Sequence, residues 1–475
     1  MLGSDFPAVV AIDLGAESCR ISLLQWSGDK PHIKLIHRFG NAPIAMGASL
    51  HWSLDSIFLE LEKGLARCAA QCAAPIASIG VDGWAVDYVR IDQHDAPLGP
   101  PYCYRDARTE ASFAEMQALY SNTELFLRSG VQPLRINTLY QLMEDQKAGL
   151  SSTVRWVNLP EYVLSKLGGR LAAEYTNATH TGLIDLHTHS WNKEVFNIAG
   201  LSLAAAPELF ATGSDLGQLR GKWNQEAAFK QARLIAVACH DTASAVAAIP
   251  LEGADWAYLS SGTWSLLGMV LDSPIVSREA CDAGFTNLGA AGNRICFHKN
   301  LNGMWLLKQT MLQLCPTSDT WPMEYLIAAS ESVAPPDCLL DVDDPSLLLP
   351  ASMASRINAQ RSRMYAAPLD EHVSAMPQFA SLIFHSLAHR YAETLRDAET
   401  MTGRKLKRLA IVGGGSLNQF LNRLTAEATG LDIFCGVAES STIGNFAAQL
   451  ATLERRQNSP SRIAHWARVL TSSHD

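Results

Sequence analysis

The sequence lacks the features that mark proteins of membranes and nucleic acids. No apolar run reaches the roughly 18 residues that a membrane-spanning helix needs. No run of five basic residues occurs, and 47 acidic side chains against 38 basic ones give a net charge of −9. An acidic chain of this kind is a poor general binder of nucleic acids or anionic membranes. We therefore expect neither kind of partner, while a local pocket for a small phosphate stays compatible with this charge.

Paired cysteines are also missing. The ten cysteines are scattered along the 475 residues and never form a CxxC motif. Only Cys68 and Cys72 stand close together, at the spacing of one helical turn. The first six residues have neither the positive region nor the apolar core of a signal peptide. These observations predict reduced, mostly buried thiols in a cytoplasmic protein.

Several nucleotide-binding motifs are absent as well. There is no GxxxxGK[ST], which excludes a P-loop enzyme, and the glycine triplet 413–415 is not GxGxxG, so a dinucleotide site is unsupported. The HRD and DFG motifs of protein kinases are missing too, so the protein-kinase set is not present. The chain does have 48% apolar and 18% charged residues, which is typical of a globular protein with a sizeable core.

One pattern of secondary structure occurs twice. The apolar runs 8–12 and 20–26 predict two strands, joined by a polar turn at 13–18. The same succession of strand, polar turn and strand returns near residue 256, with its turn at 261–263. The repetition predicts two similar α/β halves.

The domain boundary is predicted between these halves, where residues 250–253 read as a connector. We assign residues 1–247 to an N-terminal domain and residues 248–455 to a C-terminal domain. The remaining residues, 456–475, are predicted to form a polar, loosely held tail.

The polar turns are candidate phosphate sites. A glycine-containing turn between strands offers backbone N–H groups to a phosphate, and Ser18 adds a hydroxyl. Asp13, at a strand end, can hold Mg²⁺ through water. The turn at Thr263 has the same small donors, and the glycine triplet 413–415 lets a backbone approach a flat ligand closely. Each turn alone can equally be a plain structural connection, but two in similar halves favour a clamp on one polyphosphate.

Asp241 is the candidate general base. It follows an apolar strand within His240-Asp-Thr-Ala243, and a carboxylate in that position can take a proton from an alcohol that attacks a phosphoryl group. The structural alternative is a helix cap, in which Asp241 or Thr242 opens a helix over 242–248.

Ten short stretches occur in one order along residues 8–455. They are DLGAES at 13–18, WAVDY at 84–88, YRDART at 104–109, NTLYQL at 137–142, EYTNAT at 174–179, CHDTASAV at 239–246, YLSSGTWSL at 258–266, GMWLL at 303–307, IVGGGSLN at 411–418 and STIGN at 441–445. Together they resemble the FGGY carbohydrate kinases, a family of the actin-like ATPase superfamily.

The resemblance implies an α/β fold of two RNase H-like (actin-like ATPase) domains with an interdomain cleft. It implies a sugar and ATP with Mg²⁺ as small-molecule ligands and transfer of the γ-phosphoryl group to O1 of a ketose. We expect the protein to be a monomer or homodimer. Position by position, it implies Asp241 as the catalytic base, sugar contacts at Ala85, His240, Asp241, Thr242 and Asn300, and ATP contacts at Ala16, Glu17, Ser18, Cys19, Arg20, Thr263, Lys308 and Gly414.

The sequence departs from the family pattern in three places. Glu17 puts a carboxylate where a small hydroxyl residue is usual, so it must point to solvent or pair with a cation. Lys308 replaces a glutamine. Gly83 and Ala85 stand where the most similar subfamily has threonine and glycine. A methyl at Ala85 is costly in a close-packed pocket, and a hole at Gly83 would offset it only if the sugar shifts, so we expect that subfamily's sugar to bind less well.

Two alternative functions stay open. One is a kinase for another sugar, such as L-fuculose or a pentulose. The other is a nucleotide-gated binding protein, because actin-like folds also serve proteins that phosphorylate no sugar. Asp241 beside His240 and Thr242 favours the enzyme, since a nucleotide gate needs no base on the sugar side.

Overall fold

The computed structural model describes residues 6–151, 154–315, 317, 320–437, 439–456 and 458–472. Its strands are β1 Ala8–Leu14, β2 Ser18–Ser27, β3 Lys30–Gly40, β4 Ile44–Met46, β5 Ser49–His51, β6 Ile76–Gly83, β7 Tyr88–Ile91, β8 Arg155–Asn158, β9 Ala172–Glu174, β10 Ile184–Asp185, β11 Ser190–Trp191, β12 Glu208–Phe210, β13 Ser214–Gln218, β14 Arg233–Ala236, β15 Trp256–Ser261, β16 Trp264–Leu271, β17 Phe285–Ala290, β18 Arg294–Asn302, β19 Arg408–Val412 and β20 Asp432–Cys435. Its α-helices are α1 Leu54–Gln71, α2 Glu110–Leu119, α3 Asn122–Ser129, α4 Thr138–Lys147, α5 Leu159–Lys166, α6 Tyr175–Ala178, α7 Lys193–Ile198, α8 Asp241–Ala247, α9 Arg278–Asp282, α10 Trp305–Leu314, α11 Met323–Ser332, α12 Met353–Arg363, α13 Met376–Thr402, α14 Gln419–Thr429, α15 Ser440–Leu453 and α16 Pro460–Thr471.

The first sheet has six strands in the order β13-β14-β6-β1-β2-β3. All seven residues of β1 are buried, as expected for an apolar strand inside a sheet. Strand β1 pairs antiparallel with β2 and parallel with β6, and β6 pairs parallel with β14. The carboxyl ends of β1, β6 and β14 therefore lie side by side at one edge of the sheet.

The predicted repetition is confirmed in the second half of the chain. Four neighbouring strands there run in the order β16-β15-β19-β20. Strand β15 pairs antiparallel with β16 and parallel with β19, and β19 pairs parallel with β20. The strands β2-β1-β6-β14 have the same arrangement. Each half therefore begins with a hairpin whose first strand also pairs, on its other side, with a parallel strand.

Residue contacts divide the chain into two compact units. The first runs to Glu252 and also contains Val270–Phe297 and the chain from Ser440 onward. The second contains Gly253–Met269 and His298–Glu439. The division between domains at residues 247 and 248 stays a prediction.

The segment expected to be a loose polar tail contains a packed helix. Helix α16 buries Ile463, Trp466 and Leu470, which recur at the spacing of one helix face. The ring of Trp466 lies 6.0 Å from that of Trp26 on β2. The expectation of a loosely held tail is wrong over Pro460–Thr471, because the polar residues between these apolar ones concealed the period.

The cysteines are free, as predicted, and six of the ten are buried. Among the described residues, no helix combines the length and the apolar composition that crossing a bilayer requires.

Candidate active site

Three aspartates come together at one edge of the sheet in the first unit, two at strand ends and one at the start of α8. Asp13 of β1 and Asp82 of β6 are direct partners in the parallel ladder. One residue further, Gly83 forms a parallel bridge with His240, which brings Asp241 to the same edge. The charge of Asp241 is felt at both Asp13 and Asp82. The sheet thus gathers the predicted metal-site and base positions, which are far apart in sequence.

Asp13 and Asp82 are buried carboxyls with defined partners. Arg20 Nη1 donates to Asp13 Oδ2 at 3.0 Å, and Ser441 Oγ donates to the same oxygen at 2.8 Å. Asn445 Nδ2 donates to Asp82 Oδ2 at 2.6 Å. Asp82 Oδ1 is buried without a hydrogen-bond partner in the described part of the chain. Burial raises the pKa of both carboxyls, although Arg20 opposes the rise at Asp13.

This donor set fits a hydrated Mg²⁺ ion. Carboxylate oxygens are its preferred protein ligands, and Mg²⁺ usually keeps several waters while one or two carboxylates and substrate phosphates hold it. The unpartnered Asp82 Oδ1 leaves an acceptor for such a water. Within the described ranges, no three His, Cys, Asp or Glu side chains come close enough to hold a metal ion by themselves. The arrangement therefore suits a cation held partly through water and phosphate.

Asp241 combines burial with access to solvent. Thr242 Oγ1 donates to Asp241 Oδ1 at 3.1 Å, and His240 Nε2 lies 3.3 Å from the same oxygen. Burial raises the pKa of Asp241 to about 6 and lowers that of His240 to about 3, so the imidazole is neutral and the contact is no ion pair. Helix α8 begins at Asp241 with His240 in the cap position. The capping alternative is therefore wrong for both Asp241 and Thr242.

We predict an acid limb in the pH dependence of kcat/KM that reports Asp241. A general base acts only when ionised, so activity should fall as the pH drops through its raised pKa. The Asp241 side chain is 37% exposed, so contact with water offsets part of the rise that burial causes in its pKa. We expect the midpoint between the ordinary value of 3.8 and about 6.

The rate should be measured at saturating ATP and Mg²⁺, because Asp13 and Asp82 also titrate nearby. A rate that is still flat at pH 3.8, where even the lowest expected midpoint halves it, would contradict an ionised Asp241 as the base.

A buried aspartate organises the loop after β6. Asp87 Oδ2 accepts from Trp52 Nε1 at 2.6 Å and from Trp84 Nε1 at 3.0 Å, and Gln141 Nε2 donates to its Oδ1 at 3.2 Å. Val86 has a φ of 70°, which is unusual for a β-branched residue and occurs where the surroundings impose it. The backbone that carries Ala85 is therefore held firmly from both sides.

Gly83 leaves no hole for a sugar. A Cβ on Gly83 would lie 2.7 Å from the carbonyl oxygen of Leu14 and 3.3 Å from Pro160 Cγ. In this chain β1 passes close to this point, so the expected compensating space is wrong. Ala85 is buried with 8% exposure, and its methyl stays uncompensated.

The first phosphate turn presents backbone more than side chains. Cys19 is buried, its Sγ donates to Gly15 O at 3.6 Å, and its pKa is raised to about 12, so it can offer a phosphate only its backbone. Ser18 Oγ accepts from Arg38 Nε at 3.0 Å, and Ala16 is half-buried.

Glu17 in this turn both points to solvent and lies near a cation, the two arrangements that were expected from the sequence. Its side chain is 61% exposed, and its carboxylate lies 3.9 Å from Arg105 Nη2. The charge that it adds near the turn is therefore accompanied by a cation.

The turn after β15, in the second unit, is braced against the start of α10. Met304 N donates to Gly262 O at 3.0 Å, and Trp305 N donates to Thr263 O at 3.1 Å. Thr263 itself is exposed. Ser261 Oγ is buried without a hydrogen-bond partner among the described residues. The backbone of the turn is held while the Thr263 side chain stays exposed.

The glycine triplet packs on this same turn. Gly413 has a φ of 81°, and a Cβ there would lie 2.9 Å from Ser261 O. A Cβ on Gly414 would meet nothing within 4 Å, so this exposed glycine leaves its backbone open to a ligand. Lys308 on α10 and Asn300 on β18 are exposed as well. The second unit thus gathers Thr263 and Gly414 around one turn, with Lys308 on the helix that braces it.

Helix α15 supplies site residues that the sequence interpretation missed. Ser441, Asn445 and Gln449 follow one another at four-residue spacing on one face. Gln449 Nε2 donates to Asn445 Oδ1 at 2.6 Å, and Ser78 Oγ donates to Gln449 Oε1 at 2.7 Å. This chain of donors ends at Asp82 and fixes the orientation of both amides. The spacing, which begins in the STIGN stretch, was the available signal.

Solved structures identify the fold. Xylulose kinase from Lactobacillus acidophilus aligns with a TM-score of 0.76 at 14% identity, covering 97% of this chain and 92% of that one. Plasmodium falciparum glycerol kinase with ADP aligns with a TM-score of 0.76 at 14% identity, covering 98% and 93%. The expected fold, two α/β domains of the actin-like ATPase type, is confirmed.

Sequence relationships identify the family. Residues 8–248 match the FGGY family of carbohydrate kinases, N-terminal domain, and residues 257–453 match its C-terminal domain. The chain belongs to the FGGY family, and it is an ATP-dependent sugar kinase that transfers phosphate to a sugar hydroxyl.

Its relatives include rhamnulokinases. The rhamnulokinase of Enterobacter sp. (strain 638) is 37% identical over 455 residues, covering 94% of this chain and 90% of that protein. The rhamnulokinase of Yersinia pestis (strain Pestoides F) is 36% identical over 473 residues, covering 98% and 93%.

Proposed function

We propose that this kinase phosphorylates O1 of a ketose with Asp241 as the general base, and that rhamnulose is its sugar. The observation that carries the proposal is the convergence of Asp241, Asp13 and Asp82 at one sheet edge. The names of its relatives support the choice of sugar. Kinases for L-fuculose or a pentulose and a nucleotide-gated binding protein are not favoured by these relationships.

The proposed mechanism relies on alignment and charge. Phosphoryl transfer has a loose transition state, so positioning and electrostatic stabilisation supply most of the catalysis. Asp241 accepts the proton of the sugar hydroxyl as the hydroxyl oxygen attacks the γ-phosphorus, and the bond from that phosphorus to the β–γ bridging oxygen breaks to release ADP. Neutral His240 and the Thr242 hydroxyl, which flank the Asp241 carboxylate, orient the base and contact the sugar together with Ala85. In the second unit, Asn300 keeps the sugar contact that the family resemblance implies.

Mg²⁺ would be held by Asp13 and Asp82, through water at the unpartnered Asp82 Oδ1. When bound, the ion neutralises charge on the β- and γ-phosphates. Arg20 stays beside Asp13 and reduces the repulsion between the carboxylates.

We assign the ATP contacts to the braced turns of the two halves. In the first unit, the backbone N–H groups of residues 16–20 are assigned to phosphate. In the second unit, Thr263 is assigned to phosphate and Gly414 to adenosine, as the family resemblance implies. Lys308 adds a cation on the nucleotide side, and Glu17 stays paired with Arg105. A cytoplasmic location and a monomer or homodimer remain predictions.

A substrate panel tests the proposed sugar. We expect L-rhamnulose to give the highest kcat/KM among L-rhamnulose, L-fuculose, L-ribulose and D-xylulose. Because nothing at Gly83 offsets the Ala85 methyl, we expect Ala85→Gly to raise kcat/KM for L-rhamnulose by roughly ten- to 150-fold, the equivalent of about 1–3 kcal/mol of steric cost.

The choice of sugar and the steric cost of the Ala85 methyl are tested independently. A different best sugar would overturn the choice of rhamnulose. A wild type that already prefers L-rhamnulose more than tenfold, with no gain from Ala85→Gly, would overturn the steric argument about Ala85.

A further inference from the structure

The segment that carries Asp241 leaves the sheet before it reaches the site. Strand β14 ends at Ala236, and residues 237–239 have no regular secondary structure before α8 begins at Asp241. Backbone N–H groups in this buried segment need acceptors other than neighbouring strands. Gly83 N donates to Cys239 O at 2.9 Å, which fixes one side of the segment.

Buried side chains fix the other side. Glu174 Oε2 accepts from Cys239 N at 3.0 Å, and Thr176 Oγ1 accepts from His240 N at 3.3 Å. Thr176 Oγ1 in turn donates to Glu174 Oε2 at 2.5 Å. Glu174 and Thr176 are fully buried. Two consecutive amides immediately before Asp241 are thus held by one carboxylate and one hydroxyl.

The carboxylate is held rigidly from its own side as well. Thr176 N donates to Glu174 Oε2 at 2.9 Å, and Thr212 Oγ1 donates to Oε1 at 2.7 Å. The neighbouring Glu161 accepts from Glu174 N at 3.1 Å. Burial raises the pKa of Glu161 to about 8 and also raises that of Glu174, where the hydrogen bonds from Thr176, Thr212 and Cys239 N oppose the rise.

We propose that Glu174 and Thr176 are positioning residues for the catalytic base. They set the direction in which the chain enters α8 and hence where the Asp241 carboxylate lies. This inference rests on the proposed role of Asp241. A misplacement of about 1 Å at a reacting group can cost on the order of 10²-fold in rate, so a hydroxyl that touches no substrate can still control kcat.

The chain offers a matched pair of variants. Thr176 and Thr212 are both buried, and each donates a hydroxyl proton to the same carboxylate. Only the Thr176 hydroxyl also accepts from the catalytic segment. Valine keeps the shape of threonine but lacks the hydroxyl. Thr176→Val and Thr212→Val therefore each remove one hydrogen bond to Glu174. Only Thr176→Val also removes the acceptor of His240 N.

We expect Thr176→Val to lower kcat about tenfold or more, with the KM for ATP within about twofold of wild type. Thr212→Val should keep kcat within about twofold, with a fall in melting temperature no larger than that of Thr176→Val, because it removes only the bond to Glu174. Thr176→Ser restores the hydroxyl and should recover most of the rate. Equal rate losses in the two valine variants, or no loss in either, would overturn the proposal.

A double-mutant cycle separates this inference from the role of Asp241. If Thr176 acts through Asp241, Thr176→Val should cost little further rate when Asp241 is already asparagine. Full additivity would overturn the positioning role. If Asp241→Asn alone leaves the rate unchanged, the proposed function fails instead, and this outcome is read from that single variant.

Discussion

Asp241→Asn is expected to lower kcat by about 10²–10⁴-fold while the affinity for ATP stays almost unchanged. Asparagine keeps the shape of aspartate but cannot take a proton from the sugar. The substitution also removes a charge that Asp13 and Asp82 feel, so it relieves repulsion in the cluster. We therefore expect no loss of stability, and a fall in rate is attributable to the missing base.

Steady-state kinetics with sugar and ATP varied separately measures this effect. Thermal unfolding of the same preparation serves as the control for folding. Turnover within about threefold of wild type would remove Asp241 from the role of base.

Local patterns predicted the strands and two carboxylates of the site, Asp13 and Asp241. The apolar run of β1 and its polar end are features of consecutive residues, and the same holds for the segment before Asp241. Both side chains were predicted at strand ends. Asp13 does lie at the end of β1, whereas β14 ends at Ala236 and Asp241 opens α8 at the same edge of the sheet. Asp82 also lies at the end of a strand, but no function was predicted for it.

The partners of these carboxylates could not be predicted in this way. Ser441 contacts Asp13 across 428 positions in the chain, and Asn445 contacts Asp82 across 363. No local period encodes such pairs, because they depend on where α15 packs. The support of Asp241 by Glu174 and Thr176 has the same origin, since 65 and 64 positions separate the paired residues.

Gly83 shows how a single position misleads without its neighbours. A missing side chain was interpreted as space for the sugar. The direction of a Cβ is decided by the pairing of β6 with β1, where Gly83 lies opposite Leu14. That pairing directs a Cβ on Gly83 at the backbone of Leu14 in β1.

Gly83→Ala is expected to destabilise the protein by about 1–3 kcal/mol, because an added methyl must displace a well-packed backbone. The new Cβ would lie 2.7 Å from Leu14 O and 2.8 Å from Leu14 Cβ, so the ends of β1 and β6 must separate. These ends carry Asp13 and Asp82, and Trp84 follows directly. We therefore also expect kcat/KM to fall about tenfold or more.

Gly40→Ala is the matched control for this prediction. It is the same substitution at the end of β3, where a Cβ would meet nothing within 4 Å. We expect its free energy of unfolding to stay within about 0.5 kcal/mol of wild type. Denaturant unfolding and kinetics of both variants, side by side, give the comparison. If Gly83→Ala matches Gly40→Ala in stability and rate, the close approach of β1 does not constrain this position, and space near the sugar would again explain the glycine.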